Sequence, residues 1–290
     1  MTAKILAAAP VVEKIKVNLV KRCEALKNEG ITPSMCVVLV GDNPASMSYI
    51  RNKKKLCEEI GANFVLEHMA PDITASEFLK RVKKLNEDSS VHGIIIQLPV
   101  ASQLKDLDLP NLVNPNKDID GFHGVNTQKI YSGSKDLTLL LPCTPKGIVN
   151  LLHFYGVELK GKNIVVIGRS LIVGKPLSML LSNFDATVVL AHSQTNNLRT
   201  LTRSADIVVS AIGKAHFFDR SYFDAEKKTI VVDVGMNSLD GKLTGDVDQN
   251  DVKGVVDALT PVPGGVGPMT VVSLMENLIS ATENQLRGHI

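Results

Sequence analysis

An α/β fold with parallel sheets, divided into two domains, is what this sequence predicts, and three observations predict it. Short β-branched apolar runs alternate with stretches of helical periodicity along most of the chain. The length of 290 residues exceeds one small domain and fits two of ordinary size. In "VVIGRSLIVGKP", residues 165–176, an apolar run ends at Gly168, and a second glycine and a proline follow before a helical pattern begins. That is how a chain leaves a buried strand for a helix whose N-terminus can hold a phosphate.

The elements follow in order. Pro10 opens a helix in which Ile15, Leu19, Cys23 and Leu26 recur at helical spacing until Gly30 stops it. "CVVLVG" at 36–41 is a buried strand, residues 44–60 are a helix from Pro44 to Gly61, and "NFVLEH" is the next strand. Thr74 with Glu77 three residues on is a capping box that starts a helix. "GIIIQLPV" at 93–100 is another buried strand. From 101 to 144 the regularity weakens into "LVNPNKDIDGFHG" and "PCTP", so the domain boundary is placed at 141, with the second domain starting at 142. Strand candidates then recur at 163–168, 186–191, 206–211 and 229–235, with a shorter fifth in "VVDALT". "TPVPGGVGP" leads into a final amphipathic helix, 268–286.

The totals exclude several classes. A hydrophobic fraction of 44% beside 21% charged residues is that of a globular chain with a real core. A net charge of +2 implies no polyanion partner, and "RNKKK" at 51–55 is the one dense basic cluster, so no nucleic-acid partner is expected. Cys23, Cys36, Cys57 and Cys143 form no C-x-x-C pair, which favours reduced thiols in a cytosol-like compartment over a disulfide framework or zinc site. The N-terminus resembles neither a secretory signal nor a transit peptide, and no apolar run nears the ~18 residues of a membrane span. A soluble cytoplasmic protein with no membrane partner and no metal is the expectation.

In a dinucleotide fold the first strand–helix turn holds the pyrophosphate and the second strand ends beside the adenosine ribose. An acidic residue there selects NAD, whereas a cation and small polar groups accommodate the extra phosphate of NADP. Here the second strand ends in His192, Ser193, Gln194 and Thr195, with no carboxylate, and Arg169 stands in the first turn. A guanidinium at that point can read the 2′-phosphate of NADP. The bland alternative is that Gly168 and Gly174 only permit a tight turn and Arg169 is solvated.

The first domain carries a weaker set. Tyr49 and Lys53 share one face of the helix 44–60, which is either a solvated basic face or a site where a desolvated lysine exchanges protons beside an aromatic stacking surface. Gln97 is a polar amide at the carboxyl end of an apolar strand, where open α/β sheets bind ligands, or a satisfied strand-end residue. Asp118 and Asp120 alternate across an extended segment, one to cap or turn and the other to face a ligand's donors. His123 is read as structural.

Taken together these features are specific. "VGDNPASMSYIRNKKKLCEEIG", "ITAS" before a helix, "GIIIQLPV", "NPNKDIDGFH", "PCTPKGIV", "GKNIVVIGRSLIVGKPLSMLL", "GDVD" and "TPVPGGVGPMTVVSLMENLI" occur in one order. From about residue 4 to the last helix the chain resembles the bifunctional methylenetetrahydrofolate dehydrogenase/cyclohydrolase family. The resemblance implies two α/β domains flanking a cleft, the second a Rossmann-like dinucleotide-binding domain with a parallel sheet, and a last segment, 270–290, that returns to the first domain. It implies a homodimer formed through the cofactor domains. The reactions implied are oxidation of 5,10-methylenetetrahydrofolate by NADP⁺ to the methenyl form and hydrolysis of that cation to 10-formyltetrahydrofolate.

By the same resemblance, Lys53 matches the catalytic lysine, Gln97 the amide that positions it, Tyr49 the aromatic that stacks on the folate and Asp120 the carboxylate that holds the pterin. Leu98 and the run Pro263, Gly264, Gly265, Val266, Gly267 and Pro268 match further substrate contacts, the glycine-rich run as a loop closing over folate and nicotinamide. Gly168, Arg169, Ser170 and Ser193 match cofactor phosphate and ribose contacts, and Met236 a backbone contact to the cofactor. The chain departs from the family pattern in lacking an Asp-Gly after the first strand, in Gly124, where proline or serine is usual, and in Gln128, where glycine is common.

Overall fold

The computed structural model describes residues 2–288. Its elements begin with β1 (Lys4–Ile5), α1 (Ala9–Asn28), β2 (Ser34–Val40), α2 (Pro44–Glu59), β3 (Asn63–Met69), α3 (Ala75–Glu87) and β4 (Gly93–Ile96). Three helices follow, α4 (Leu109–Leu112), α5 (Gly124–Tyr131) and α6 (Cys143–Phe154). Alternation then resumes with β5 (Asn163–Ile167), α7 (Gly174–Asn183), β6 (Thr187–Ala191), α8 (Leu198–Ser204), β7 (Ile207–Ser210) and β8 (Ile230–Asp233). The chain ends with β9 (Asn237–Leu239), β10 (Lys242–Thr244), α9 (Gln249–Val252), β11 (Ala258–Leu259) and α10 (Val266–Leu286).

These elements form two compact units, one of residues 14–129, 136–143 and 271–288, the other of 2–13, 130–135 and 144–270. The first is built on a parallel three-stranded sheet in the order β3-β2-β4. Every residue of β2 is buried, as its unbroken apolar run requires of a central parallel strand. Cys36 and Val38 of that strand share a core cluster with Phe78 and Val82 of α3 and with Ile94 of β4. Gly61, at φ +84°, ends α2: its N–H donates to Glu58 O and the next N–H to Cys57 O, the paired closure that a left-handed residue makes possible. Thr74 caps α3 by accepting the Glu77 N–H at 3.2 Å.

β4 stops at Ile96 rather than running to residue 100. Pro99 has no N–H to give a ladder, and the Leu98–Pro99 peptide is cis. The segment 117–119 then returns beside β4, with Ile94 N donating to Lys117 O at 2.7 Å and Ile94 bridging Asp118 in parallel. The register sets Asp120 level with the end of β4. Asn277 of α10 fixes the same segment by donating to Ile119 O and Leu141 O, both at 2.8 Å.

The second unit holds a six-stranded sheet in the order β1-β11-β8-β7-β5-β6, parallel at every pairing. β6 and β7 lie on opposite sides of β5, so the strand order reverses at β5 and its carboxyl end is the switch point of a doubly wound sheet. Val165, Ile167, Val208 and Val231 of the strands share a core with Phe218 and Val252.

Three expectations need correction here. Residues 2–13 do not join the first domain: β1 pairs with β11, and Ala8 N donates to Gly264 O at 2.8 Å, so the N-terminal segment completes the six-stranded sheet. Residues 130–135 also belong to that unit, where Asn183 Nδ2 donates to Ile130 O at 2.8 Å and Ser134 O at 2.9 Å, so no single cut at 141 divides the chain. The last helix begins at Val266, not 268. Pro268 is tolerated inside its first turn because the N–H it lacks has no intrahelical partner there.

Candidate active site

In the three-stranded unit, α2 carries Tyr49 and Lys53 on one face. Lys53 is partly buried, and its Nζ donates to Gln97 Oε1 at 3.0 Å. Gln97 follows β4 directly, and its backbone N–H still donates to Val38 O at 2.9 Å, which pins the residue at the sheet's carboxyl edge. Its side-chain Nε2 donates to Leu98 O at 2.9 Å. With the NH₂ end committed to that carbonyl, the amide oxygen is the end turned to Lys53. Leu98 O also accepts from Ser46 Oγ at 3.3 Å. Ser46 is only 2% exposed, and sequence reasoning did not single it out. A small hydroxyl in the first turn of a helix is the signal that was there.

The two aspartates separate cleanly. Asp118 is buried and accepts from Gly121 N at 3.0 Å, His123 N at 2.8 Å and Asn126 Nδ2 at 2.9 Å, so it holds the turn into α5. Burial pushes its carboxyl up, against the pull of those hydrogen bonds. Asp120, two residues on, has no such set of donors among the described residues. Burial raises its carboxyl to about 6, while the nearby Lys53 charge pulls it down and Asp118 pushes it up. Tyr49, 39% exposed, offers a ring face one helical turn before Lys53, and burial raises its phenol. An ammonium held by an amide oxygen next to a carboxyl that titrates near 6 can exchange protons, and the ionised carboxylate can accept from a ligand's N–H groups.

His123 has the structural place expected of it, its Nδ1 accepting from Val125 N at 3.1 Å. The unusual Gly124 donates its N–H to Asn111 Oδ1 at 2.8 Å, a bond that proline cannot make. Gln128 lies exposed on α5.

The six-stranded unit brings its predicted residues to the carboxyl ends of β5 and β6. Gly168, at φ +118°, follows β5 so closely packed that a Cβ there would lie 2.3 Å from Ala211 O. A Cβ on Gly174, the first residue of α7, would lie 1.8 Å from Gly168 O. The backbone of this turn therefore approaches itself as only glycines permit. Ser170 Oγ accepts from Val173 N at 3.2 Å and Gly174 N at 3.4 Å, capping the start of α7 while its own O–H can donate outward. Arg169 is exposed beside it. After β6, Thr195 Oγ1 accepts from His192 N at 2.8 Å, which folds the polar turn that exposes Ser193.

Past the carboxyl end of β11 in the same parallel sheet, Gly264 stands at φ +102° and a Cβ on Gly265 would lie 2.5 Å from Pro261 O. Of the expected closing loop, Pro263, Gly264 and Gly265 form a turn, whereas Val266, Gly267 and Pro268 are the first turn of α10. A Cβ on Gly267 would lie 4.0 Å from Met236 Sδ, so those two positions are neighbours, and Met236 is 45% exposed.

The chain matches two family models. Residues 6–120 match the tetrahydrofolate dehydrogenase/cyclohydrolase catalytic domain, and residues 142–286 match the NAD(P)-binding domain of the same family. The chain belongs to the tetrahydrofolate dehydrogenase/cyclohydrolase family. It is 44% identical over 286 residues to the bifunctional protein FolD of Anoxybacillus flavithermus, a match that covers 98% of this chain and 99% of the relative. Among solved structures, the bifunctional FolD enzyme of Campylobacter jejuni is 41% identical with a TM-score of 0.93, covering 98% of this chain and 99% of that one. The Trypanosoma brucei FolD enzyme, solved with NADP and an inhibitor, is 30% identical with a TM-score of 0.92 and covers 99% of both chains.

The tetrahydrofolate dehydrogenase/cyclohydrolase family implies NADP, and the residues present fit it. The glycine turn clears space for a phosphate at the start of α7, and the end of β6 offers hydroxyls and amides rather than a carboxylate. Gly174→Ala tests the turn. The methyl group is expected to cost about 1–3 kcal/mol of stability through overpacking and to weaken NADP⁺ about tenfold or more. Denaturant unfolding and NADP⁺ titration measure the two effects, and an unchanged NADP⁺ affinity contradicts the assignment.

Proposed function

We propose that this chain oxidises 5,10-methylenetetrahydrofolate with NADP⁺ and hydrolyses the resulting methenyl cation to 10-formyltetrahydrofolate, with Lys53, Gln97, Tyr49 and Asp120 as its folate-side residues. The observation that carries the reading is the 3.0 Å contact of Lys53 Nζ with Gln97 Oε1, set beside the raised carboxyl of Asp120 in a member of this family. Tyr49 supplies the ring face for the folate's aminobenzoyl group, and Leu98 lines the same end of β4. Asp120 accepts from the N–H groups of the pterin. NADP⁺, bound at the end of β5, supplies the hydride acceptor. Gly168, Arg169, Ser170 and Ser193 hold its phosphate and ribose groups, with Arg169 on the 2′-phosphate. Met236 gives a backbone contact to it, and the run from Pro263 to Pro268 contacts the ligands.

Hydride loss from the one-carbon centre is driven by the folate nitrogens, so the protein's part in that step is position and orientation. Hydrolysis asks more. A water oxygen bonds to the cationic carbon, one carbon–nitrogen bond breaks, the leaving nitrogen gains a proton and one proton leaves for solvent. Lys53 is the group that takes the proton from the attacking water and delivers one to the leaving nitrogen, while Gln97 keeps its Nζ aimed.

Asp120 gives this reading a pH signature. Its carboxyl titrates near 6, so the ionised acceptor is present above that pH and lost below it. The KM for methylenetetrahydrofolate is expected to rise about 10-fold or more between pH 8 and pH 5, the worth of a charge-assisted hydrogen bond. Asp120→Asn is expected to have a high KM that no longer follows this titration. A wild-type KM that is flat over the range contradicts the role.

A homodimer through the six-stranded units belongs to the same proposal. β6 is an edge strand whose Val189 is 38% exposed, and a second copy covers such an edge. Among the described residues no helix is long and apolar enough to cross a membrane, and the four cysteines are buried thiols, which supports a cytoplasmic enzyme.

A further inference from the structure

The residues assigned to the cofactor leave unexplained why the carboxyl ends of β7 and β8 carry two fully buried aspartates. Asp246 is 0% exposed and Asp233 2%. Asp233, the last residue of β8, accepts from Gly235 N at 2.9 Å, Asp246 N at 3.0 Å and Val247 N at 2.9 Å. It therefore ties the segment that follows β10 back to the strand. Asp246 then reaches on into the turn after β7. Its Oδ2 accepts from Ser210 Oγ and Ile212 N, both at 2.8 Å, and from Gly213 N at 3.3 Å. Its Oδ1 accepts from Lys214 N at 2.8 Å and from Asn237 Nδ2 at 3.0 Å. A Cβ on Gly235 would lie 2.3 Å from Asp246 Oδ1, and one on Gly245 would lie 1.8 Å from Asp233 Oδ2, so the backbone is moulded round both carboxylates.

Every partner of Asp246 is a donor, and the carboxylate serves two stretches of chain at once. One is the 210–214 turn, whose Ala211 O occupies the space that a side chain on Gly168 would need. The other is Asn237, next in the chain to Met236, whose Sδ is the nearest atom to the space over Gly267. We propose that Asp246 is a positioning residue for the cofactor, holding the turn after β7 and the start of the β9–β10 hairpin in the one arrangement that a dinucleotide meets at the carboxyl end of this sheet. The inference rests on the reading that NADP⁺ binds at that end. Asp233 supports it indirectly by fixing the backbone N–H of Asp246.

Asp246→Asn keeps the size but replaces one acceptor oxygen by an NH₂ group, which faces backbone N–H groups whichever way the amide is turned. The expected result is a rise in the NADP⁺ KM and Kd of about 5–100-fold, since buried donors lose their acceptor. Hydrolysis of methenyltetrahydrofolate, which needs no cofactor, is expected to stay within about twofold in the same preparation, and so is the folate KM. A merely structural role lowers both activities together. Asn237→Ala removes a single hydrogen bond at a half-buried position and guards against misfolding of the first variant; a smaller rise in NADP⁺ KM, about 2–10-fold with hydrolysis unchanged, is expected. Arg169→Ala, titrated alongside, separates the two readings. If Arg169→Ala weakens NADP⁺ while folded Asp246→Asn, or Asn237→Ala where the former does not fold, leaves it unchanged, the positioning role is overturned alone. If Arg169→Ala has no effect on NADP⁺, the location of the cofactor is wrong and the inference falls with it.

Discussion

Lys53→Met is expected to slow hydrolysis of methenyltetrahydrofolate by a factor of about 10²–10⁴, the usual worth of a positioned proton-transfer group. Methionine keeps the length and apolar stem of the side chain, so α2 and the end of β4 lose little packing. What goes is the amine and its hydrogen bond to Gln97 Oε1. Folate binding is expected to remain detectable, because Tyr49, Asp120 and the β4 end are untouched. A second signature accompanies the first. The Lys53 charge pulls the Asp120 carboxyl down, so its removal moves that carboxyl above its present value of about 6. The pH at which folate binding weakens is therefore expected to shift upward in the variant. Unchanged hydrolysis removes Lys53 from the mechanism. Lost hydrolysis with no shift in the pH profile places Lys53 and Asp120 in separate roles.

Arg169→Ala is the second large effect. A guanidinium reading a phosphate makes charge-assisted hydrogen bonds, and losing them costs about 1.5–3 kcal/mol, or about 10–150-fold in affinity. The loss is expected for NADP⁺, with NAD⁺ changed by about twofold at most, because NAD⁺ offers no 2′-phosphate to read. Parallel titrations of the two cofactors measure it. Equal weakening of both places Arg169 on the shared pyrophosphate and leaves the preference for NADP⁺ to Ser193 and its neighbours.

Much of the fold was legible because the strands that matter are buried on both faces. "CVVLV", "IVVI" and "IVV" are apolar runs in β2, β5 and β7, which are the central strands of the two parallel sheets, and "GIII" is a largely buried run in β4. Gly61 and Thr74 marked helix ends by local chemistry that needs no tertiary context. β1 was not legible as a sixth strand. It has two residues, Lys4 and Ile5, both exposed, and its partner β11 lies at the far end of the chain, so the pairing is a non-local fact. α6 was hidden by "PCTP", whose proline signals a break although it sits in the helix's first turn. At the site, the sequence offered Asp118 and Asp120 as one turn-holder and one ligand acceptor without saying which was which, because the donors that claim Asp118, from Gly121, His123 and Asn126, come together only in the folded turn into α5. Asp246 stood in the quoted "GDVD", but its role was not legible there, because most of its partners are backbone N–H groups, and any sequence supplies those.

The measurement that tests the account most directly gives the purified protein methylenetetrahydrofolate with NADP⁺ or NAD⁺, and follows reduced cofactor and methenyl species separately, with added methenyltetrahydrofolate as a parallel substrate. The account predicts NADPH formation well above NADH formation, little build-up of the methenyl form, and direct hydrolysis of the added cation. Accumulation of methenyltetrahydrofolate with no hydrolysis of the added compound contradicts the role given to Lys53 and Gln97, and no reduction of either cofactor contradicts the account as a whole.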